Sequence, residues 1–490
     1  MHFLVVSFDG LRPDLVSPEL TPNLCRLQAH GVTLSEHRTI FPSETRSAFP
    51  SLVTGTTASR HGMVGNKYVD RSVMPPRYID TADAVLLRQL DLGSGGSLMS
   101  VPTLGEILAN AGKSLAVLAT NSPGTTRLFH HKAEDLGHVR LSGHFREACT
   151  PDDLLAKIEA QIGPLPPEAQ QSEPNTAGQD WITSAFLEVI WPTYRPDVAI
   201  VSYGEPDTTS HFHGTGAVAT RHVIAHCDRQ FGRLLDWWEA EGRAEDAQII
   251  VVSDHGHITA HTCVSVTDDL RDAGFRPGPA PQAGVNVVVV PGQVGALYCV
   301  DPTDEQIVSL VAAITDQPWC GPVFTRQKNE LDGIAPGSLG NHLVFVDHPR
   351  APDVSFAFRA DDSVDPFGLP GGTYYESTRT SGLGVHGGLH PKELAALCIV
   401  AGSAFQSNDV TSTTPSGICD LAPTILHLLD IRSAGSMTGR VLNEVLRETT
   451  TADLEIRLET FEASIGRFRQ TLSRVSVAGS IYIVGGTSQG

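Results

Sequence analysis

The sequence lacks the cysteine pattern of a small disulfide-bonded protein or of a zinc-ribbon domain. No two of its eight cysteines stand in a CxxC pair, and they are scattered over 490 residues. Such spacing favours neither a disulfide framework nor a thiolate metal site, so we expect reduced, mostly packed thiols. The cysteines are Cys25, Cys149, Cys227, Cys263, Cys299, Cys320, Cys398 and Cys419.

Long apolar runs are also missing. No segment reaches the roughly 18 consecutive apolar residues that indicate a membrane span. The first apolar run, Phe3 to Phe8, has no basic segment before it and no cleavage site after it, so it predicts a strand and not a signal peptide. We therefore expect a cytoplasmic enzyme that does not contact a membrane.

Basic residues are in deficit, with 35 Lys and Arg against 55 Asp and Glu and a net charge of −20. This balance argues against a nucleic-acid polymer as partner, because neutralising its phosphates needs clustered Lys and Arg. A small phosphorylated substrate stays compatible with it, since bound metal ions reverse the local field.

Three apolar segments share one design. "HFLVVSFDG" ends near Asp9, "DVAIVSYGEPD" is followed by Asp207, and "QIIVVSDHGH" runs into Asp254 and His255. Short runs rich in Val and Ile are typical of strands buried on both faces. Helical patterns lie between them, so we predict an α/β fold with a mostly parallel central sheet flanked by helices. Ligands of such sheets bind beyond the carboxyl ends of the strands, where these acids and histidines fall.

The length exceeds what one core usually supports. We assign residues 1–265 and 375–450 to a catalytic α/β core. We interpret residues 266–374, which are rich in Pro, Gly and Asp, as an inserted α+β cap that sets substrate specificity. Residues 451–490 are predicted to form a C-terminal helix and tail.

A heptad-like stripe supports that C-terminal helix. We expect it to pack on its own core, with a dimer contact as the alternative, so the chain is expected to be a monomer or a homodimer. The stripe consists of Leu454, Leu458, Phe461, Ile465, Phe468 and Leu472.

The acids and histidines at the strand ends have the composition of a metal centre. Asp207 and His211 are four residues apart, so one helical turn places both on one face. His386 stands between small residues in "GVHGGLHPKEL", with His390 as its rival. Together with Asp9, Asp254 and His255 this makes three Asp and three His, too many for one four-coordinate ion and about right for two. Carboxylate and imidazole without thiolate suit Zn²⁺, with Mn²⁺ or Fe²⁺ as alternatives.

These motifs together resemble the alkaline phosphatase superfamily, in particular the type I phosphodiesterase/nucleotide pyrophosphatase branch that includes phosphonoacetate hydrolases. The resemblance covers roughly residues 1–265 and 375–445. It is carried by "FDGLRPD", "LTPNLCRL", "FPSETRSAFPSLVTG", "HGMVGN", "DTTSHFHG", "SDHGH", "HGG" and "DLAPTILHLL".

The resemblance implies the roles of the site residues. In that family two zinc ions flank a phosphoryl group, and a Thr or Ser attacks phosphorus. The nucleophile position falls on Thr45, with Ser43, Ser47 and Ser51 as rival hydroxyls, and the residue that binds a non-bridging phosphoryl oxygen falls on Asn66. One ion would be held by Asp207, His211 and His386. The other would be held by Asp9, Asp254, His255 and the oxygen of Thr45, while His257 is treated as a bystander.

Arg46 departs from the family pattern. Nucleotide pyrophosphatases usually have an aromatic residue directly after the nucleophile, and phosphonoacetate hydrolases have a small polar one. A guanidinium there suits a second anionic group on the substrate. Alternatively, Arg46 turns away and pairs with an acid such as Glu44 or Glu36.

The first hypothesis for function is a zinc-dependent hydrolase of a phosphodiester, pyrophosphate or related phosphorus bond, acting through a phospho-threonine. The alternatives are a phosphonate C–P hydrolase, a phosphomonoesterase, and a phosphomutase or sulfatase of the same superfamily. No CxPxR-type motif surrounds residue 45, which disfavours a sulfatase. A non-catalytic metal-binding protein is disfavoured because every ligand type and the hydroxyl are present.

Overall fold

The computed structural model describes residues 1–170, 172–290, 294–377, 381–448 and 454–490. The strands, in chain order, are β1 (His2–Phe8), β2 (Val32–Leu34), β3 (His37–Arg38), β4 (Lys67–Asp70), β5 (Arg77–Asp80), β6 (Leu115–Ala119), β7 (Val139–Ser142), β8 (Val198–Tyr203), β9 (Ala247–Val252), β10 (Ile258–Val264), β11 (Pro277–Gly278), β12 (Val287–Val290), β13 (Gly295–Cys299), β14 (Cys320–Thr325), β15 (Leu339–Gly340), β16 (Val354–Phe358), β17 (Ala360–Val364), β18 (Pro370–Glu376), β19 (Gly384–Val385), β20 (Cys398–Ala401), β21 (Val410–Ser412), β22 (Ser416–Gly417), β23 (Ile456–Ile465), β24 (Phe468–Val477) and β25 (Ser480–Gln489).

The helices are α1 (Pro22–His30), α2 (Thr45–Thr54), α3 (Ala58–His61), α4 (Ala84–Gly93), α5 (Leu104–Asn110), α6 (Pro123–Phe129), α7 (Ala133–Leu136), α8 (Asp152–Ile162), α9 (Ala177–Ala185), α10 (Trp191–Tyr194), α11 (Asp207–His213), α12 (Val218–Trp237), α13 (Val266–Asp272), α14 (Asp304–Thr315), α15 (Pro391–Leu394) and α16 (Leu421–Leu428).

The central sheet has the order β21-β2-β20-β9-β1-β8-β6-β7. Strands β9, β1, β8, β6 and β7 run parallel, and β20 joins the edge of β9 in the antiparallel sense. Successive side chains of β1 enter two different cores. Leu4, Val6 and Phe8 pack with α1, α8, α9 and α12, whereas Phe3 and Val5 pack with α2, α5 and α16. Burial on both faces explains why these strands are continuously apolar.

The parallel arrangement brings the predicted acids to one edge of the sheet. Strand β1 lies between β8 and β9, with Ser7 opposite both Ser202 and Val252. Asp9, Asp207 and Asp254 follow the carboxyl ends of these three neighbouring strands. The sheet therefore assembles side chains that are up to 245 positions apart in the sequence.

Between β10 and β18 the chain forms a second sheet, ordered β11-β12-β13-β16-β14-β15, with α14 packed beside it. This sheet is made entirely of residues from the segment interpreted as a cap. The chain returns to the central domain through a four-stranded sheet ordered β17-β18-β10-β19. Strand β10 starts six residues after β9, so the base of the inserted segment lies next to the acid-rich edge.

The prediction of a C-terminal helix is wrong. Residues 451–453 lie outside the described residues, and the segment that follows forms the antiparallel sheet β23-β24-β25. Two-residue turns connect the strands, with positive φ at Gly466, Ala478 and Gly479.

The heptad-like spacing of this segment has a different origin. Phe461 pairs with Leu472, and Ile465 pairs with Phe468 across the turn. Intervals of four keep Phe461 with Ile465, and Phe468 with Leu472, on one face of their strands, and the interval of three from Ile465 to Phe468 spans the turn. The other interval of three, from Leu458 to Phe461, lies within β23 and leaves Leu458 on the exposed face. Phe468 and Leu472 are buried against the inserted segment, so the expected packing onto the protein's own core is formed by strands. Because these residues form strands, they do not present the helix face on which the dimer contact was predicted.

All eight cysteines are free thiols, and six of them are buried, as expected from their spacing. Among the described helices, none is both long enough and apolar enough to cross a bilayer.

Candidate metal centre and nucleophile

Two groups of acids and histidines meet at the carboxyl edge of the sheet. The first cluster consists of Asp207, His211, His257 and His386; the second consists of Asp9, Asp254 and His255. In each cluster the potential ligand atoms lie within 4.8 Å of one another. The rings of His255 and His386 stack with centroids 3.6 Å apart, so the two clusters adjoin.

The first cluster is centred on one carboxylate oxygen. Asp207 Oδ1 lies 3.3 Å from His211 Nε2, 3.1 Å from His257 Nε2 and 3.2 Å from His386 Nε2. Asp207 and His211 are the first and fifth residues of α11, so one helical turn aligns them as the spacing predicts. His386 immediately follows β19 and lies in this cluster, together with Asp207 and His211 as the sequence predicts.

His390, the alternative candidate to His386, makes its contacts elsewhere. Its Nδ1 accepts from the backbone N–H of Lys392 at the start of α15, and its Nε2 faces Asp362 at 3.2 Å. It is absent from both clusters.

The second cluster surrounds a hydroxyl. Thr45 Oγ1 lies 3.5 Å from Asp9 Oδ1 and 3.2 Å from His255 Nε2. Asp254 Oδ2 lies 3.2 Å from the same nitrogen, and Asp9 Oδ1 lies 3.6 Å from it. Thr45 is the first residue of α2, so the N-terminal end of that helix points at the centre.

The rival hydroxyls are bonded elsewhere. Ser43 Oγ donates to the carbonyl of Gly388, and Ser47 Oγ donates to the carbonyl of Met63. Ser51 Oγ bonds to the carbonyl of Ser47 and to His61. Of the four hydroxyls considered in the sequence, that of Thr45 is the one that lies beside Asp9 and His255 of the second cluster.

The four histidines of the two clusters share one orientation. Each Nδ1 lies 2.7–3.1 Å from a backbone carbonyl oxygen, which can only accept a hydrogen bond. Each Nδ1 therefore carries the hydrogen, and Nε2 is left with its lone pair. Burial lowers the pKa of His255, His257 and His386, so these rings are neutral near pH 7. The carbonyls belong to Gly384 for His211, Gly256 for His255, Gly10 for His257 and Ser43 for His386.

These donor sets fit divalent cations. Asp207 Oδ1, Asp254 Oδ2 and His257 Nε2 are buried and have no hydrogen-bond partner among the described residues. Lone pairs of neutral imidazoles facing a carboxylate oxygen repel one another unless a cation lies between them. Imidazole and carboxylate ligands without a thiolate suit Zn²⁺, Mn²⁺ or Fe²⁺.

Two residues of the centre were not identified from the sequence. His257 was treated as a bystander although it belongs to the quoted "SDHGH". Asn121 was not considered, yet its Nδ2 donates to Asp9 Oδ2 at 2.6 Å, and its Oδ1 accepts from Ser202. Asn121 could have been identified from the sequence, because it follows the apolar run of β6 just as the three acids follow β1, β8 and β9.

Asn66 and Arg46 flank the nucleophile. The backbone N–H of Arg46 donates to Asn66 Oδ1 at 3.0 Å, and Glu44 accepts from the backbone N–H of Asn66. The guanidinium turns towards β5, where Nε donates to Thr81 and Nη2 lies 3.8 Å from Asp80. Its acidic neighbour is thus Asp80, and neither Glu44 nor Glu36 is its ion-pair partner.

Two cavities open beside the centre, and Arg46 lines both. One, of about 190 Å³, lies over Asp9, Thr45 and Asp207 and extends to Asn121 and His144. The other, of about 290 Å³, runs past Asn66 and Lys67 to residues of the inserted segment, among them Val290, Ala296 and Tyr298.

The comparisons with known proteins agree with this arrangement. The family model of type I phosphodiesterase / nucleotide pyrophosphatase matches residues 3–356. The mouse ectonucleotide pyrophosphatase/phosphodiesterase family member 7 is 26% identical over 261 residues, which are 53% of this chain and 50% of that protein. The bis(5'-adenosyl)-triphosphatase enpp4 of Xenopus laevis is 37% identical over 67 residues, 14% of this chain and 15% of that protein. The first curated relatives are thus matched over about half of their length.

Solved structures show the same fold. Murine ectonucleotide pyrophosphatase / phosphodiesterase 5 superposes with a TM-score of 0.62 at 17% identity, covering 91% of this chain and 100% of that one. An inactive threonine-to-alanine variant of the same murine protein, in complex with AMP, superposes with a TM-score of 0.60 at 18% identity, covering 89% and 96%. The predicted alkaline-phosphatase-like α/β fold is confirmed.

The carboxylates of the second cluster predict how metal affinity depends on pH. Burial raises the pKa of Asp254 to about 7, and burial together with the charge of Asp254 raises the pKa of Asp9. A cation must displace the proton of Asp254 below that pKa, so affinity falls as the pH falls. With a pKa near 7, lowering the pH from 8 to 6 should weaken binding at the second cluster about tenfold through Asp254 alone. Competition titrations with a chromophoric chelator measure this, and an affinity that is constant over this range would contradict it.

Proposed function

The chain belongs to the type I phosphodiesterase/nucleotide pyrophosphatase family, and on this basis we propose that it hydrolyses a phosphodiester, pyrophosphate or related phosphorus bond through a covalent phospho-threonine. One observation carries the proposal: the hydroxyl of Thr45 lies within 3.5 Å of Asp9 and His255, at a centre built from two metal-binding clusters.

We propose Zn²⁺ as the ion of both clusters. Asp207, His211 and His386 would hold one ion, and Asp9, Asp254, His255 and Thr45 Oγ1 the other. Bound there, divalent ions would lower the pKa of the Thr45 hydroxyl and draw charge from the phosphoryl oxygens.

The side chains around Thr45 support attack by its oxygen. Thr45 Oγ1 gives its proton to solvent and forms a bond to phosphorus while the bond to the leaving oxygen breaks, and the leaving oxygen keeps the electron pair and takes a proton from water. A water oxygen then attacks the same phosphorus and gives up a proton to solvent, while the bond from phosphorus to Thr45 Oγ1 breaks and Oγ1 takes a proton from solvent. The N-terminal end of α2 favours negative charge at this point.

Asn66 would bind a non-bridging phosphoryl oxygen. Its Oδ1 is occupied by the backbone N–H of Arg46, which fixes the plane of the amide. The Nδ2 group is the donor left for a substrate oxygen. Because Arg46 follows Thr45 directly, this contact couples the amide to the nucleophile.

The charges beside the centre favour a small substrate with more than one anionic group. Arg46 and Lys67 both line the larger cavity, and both lie within 4 Å of Asp80. No aromatic residue occupies the position after the nucleophile. A pyrophosphate fits these cations, and so does a carboxylated phosphonate. A phosphonate C–P hydrolase is therefore the second candidate function.

Replacing the nucleophile tests the proposal. Thr45→Ala removes the attacking oxygen, and we expect kcat for bis-p-nitrophenyl phosphate to fall by at least about three orders of magnitude. Ser47→Ala is the matched control, because Ser47 lies in the same helix and its hydroxyl bonds to a backbone carbonyl. It should change kcat by less than about threefold. Comparable losses in both variants would refute Thr45 as the nucleophile.

Arg46 tests the charge of the substrate. A charge-assisted contact contributes about 1.5–3 kcal/mol, which corresponds to about 10- to 100-fold in rate. We expect Arg46→Ala to lower kcat/KM by that factor for substrates with a second anionic group, and to leave the monoanionic diester bis-p-nitrophenyl phosphate nearly unaffected. Arg46→Lys should recover part of the loss, because it keeps the charge without the planar fork. An equal loss on both substrates would mean that Arg46 only supports Thr45.

A further inference from the structure

We propose that two copies of the chain associate edge to edge through β23. Each β23 pairs with β23 of the other copy in the antiparallel sense, about a two-fold axis at Leu458. The partner is a second copy of this chain because the edge of β23 is complementary to itself. The inference concerns the C-terminal sheet and is independent of the proposed function.

Strand β23 is a long edge strand. It pairs with β24 over ten residues, and residues 454–465 make no backbone hydrogen bond to any described segment outside this sheet. The outermost strands of the other described sheets have two to five residues. At the opposite edge of the same sheet, the N–H of Gly486 in β25 donates to the carbonyl of Leu389. Strand β23 contains neither Lys nor Pro, which commonly protect such an edge from pairing with another strand.

Two large apolar side chains are exposed along this edge. Ile456 is 51% exposed and Leu458 is 66% exposed. They are two residues apart and therefore lie on one face of the strand. Their neighbours on β24, Val477 and Val475, are buried. A second strand beside β23 would cover the exposed pair and continue the apolar rows that begin on β24.

The charged residues of β23 are arranged for pairing with themselves. Arg457 and Glu459 flank Leu458, and Arg474 of β24 lies opposite Glu459, at 3.2 Å. With the axis at Leu458, Arg457 of each copy lies directly opposite Glu459 of the other. The ion pair within the chain is thereby extended across the boundary, with Glu459 between two guanidinium groups. Cross-strand pairs of opposite charge stabilise antiparallel strands.

Neighbouring registers lose this complementarity. An axis at Arg457 or at Glu459 would set two like charges directly opposite each other, which destabilises an antiparallel pair. An axis at Thr460 would place Leu458 opposite a carboxylate. The axis at Leu458 instead places this side chain opposite its own copy and lets residues 454–462 overlap. Charge and apolar contact thus favour the same register.

The C-terminal sheet is anchored to the rest of the chain. Gln470 of β24 exchanges hydrogen bonds with both backbone groups of Val323 in β14 and donates to the carbonyl of Gly337. Phe468 and Leu472 of the same strand are buried. Because the edge is already ordered, pairing it costs little conformational entropy.

Cysteine crosslinking of the full-length chain tests the position of the axis. Leu458→Cys places two thiols opposite each other at a separation that a disulfide spans, so we expect a mild oxidant to give a covalent dimer. Ile456→Cys is the matched control, because it lies on the same face but opposite Thr460 of the other copy. The wild type, with its eight free cysteines, gives the background. No covalent dimer of Leu458→Cys, or equal crosslinking of both variants, would overturn the proposal.

Charge exchange tests the same edge without a new thiol. Light scattering of the wild type should show a mass that rises from one chain to two with concentration. Arg457→Glu and Glu459→Arg each set like charges opposite each other, and each should weaken self-association at least about tenfold. Mixing the two variants should restore association, because the altered residues then meet as opposite charges.

This recovery separates a contact between copies from a loss of folding. A wild type that keeps the mass of one chain up to about 100 µM would overturn the proposal. A mixture that associates no better than either variant alone would also overturn it.

Discussion

The structure of the centre depends on one electrostatic constraint. Asp207 Oδ1 is buried among the Nε2 atoms of three histidines, each 3.1–3.3 Å away. Because backbone carbonyls hold the hydrogens of these rings on Nδ1, four electron pairs converge on one small volume. A divalent cation between these atoms would stabilise such a convergence in a protein interior. The folded chain therefore encloses a strongly polar centre whose donor atoms fit a divalent cation.

Backbone hydrogen bonds hold the side chains of both clusters in this arrangement. The N–H of Gly10 donates to Asp254 Oδ1, and its carbonyl accepts from His257 Nδ1. One peptide segment after β1 thus orients a member of each cluster. The carbonyl of Ser43 orients His386, and two residues later the chain supplies Thr45. The acids and histidines of the clusters and Thr45 are consequently fixed to the same short loops, which holds the hydroxyl of Thr45 beside the second cluster.

The sequence predicted those parts that depend on periodicity and local spacing. The parallel sheet followed from continuously apolar strands, and Asp207 and His211 were paired by their helical interval. What it missed depended on tertiary contacts. His257 joins the first cluster only because β10 pairs with β19, and Asn121 reaches Asp9 only because β6 lies beside β8. The C-terminal helix was wrong because apolar residues on both faces of β23, and across the turn to β24, fall at intervals of four and three that resemble a heptad. The position of Arg46 next to Thr45 was evident from the sequence. Its contact with Asp80 was not, because Asp80 belongs to the hairpin β4–β5, which was not predicted.

The central claim is that the two clusters are two separate metal sites. Metal analysis of the purified chain and of two single variants, Asp207→Asn and Asp254→Asn, tests it most directly. Each variant keeps the shape of the side chain and removes one carboxylate from one cluster, Asp207 from the first or Asp254 from the second. The account predicts about two ions per chain in the wild type and about one in each variant, with zinc restoring activity to the chelated wild type only. A wild type that is fully active without metal, or variants that both keep two ions, would contradict it.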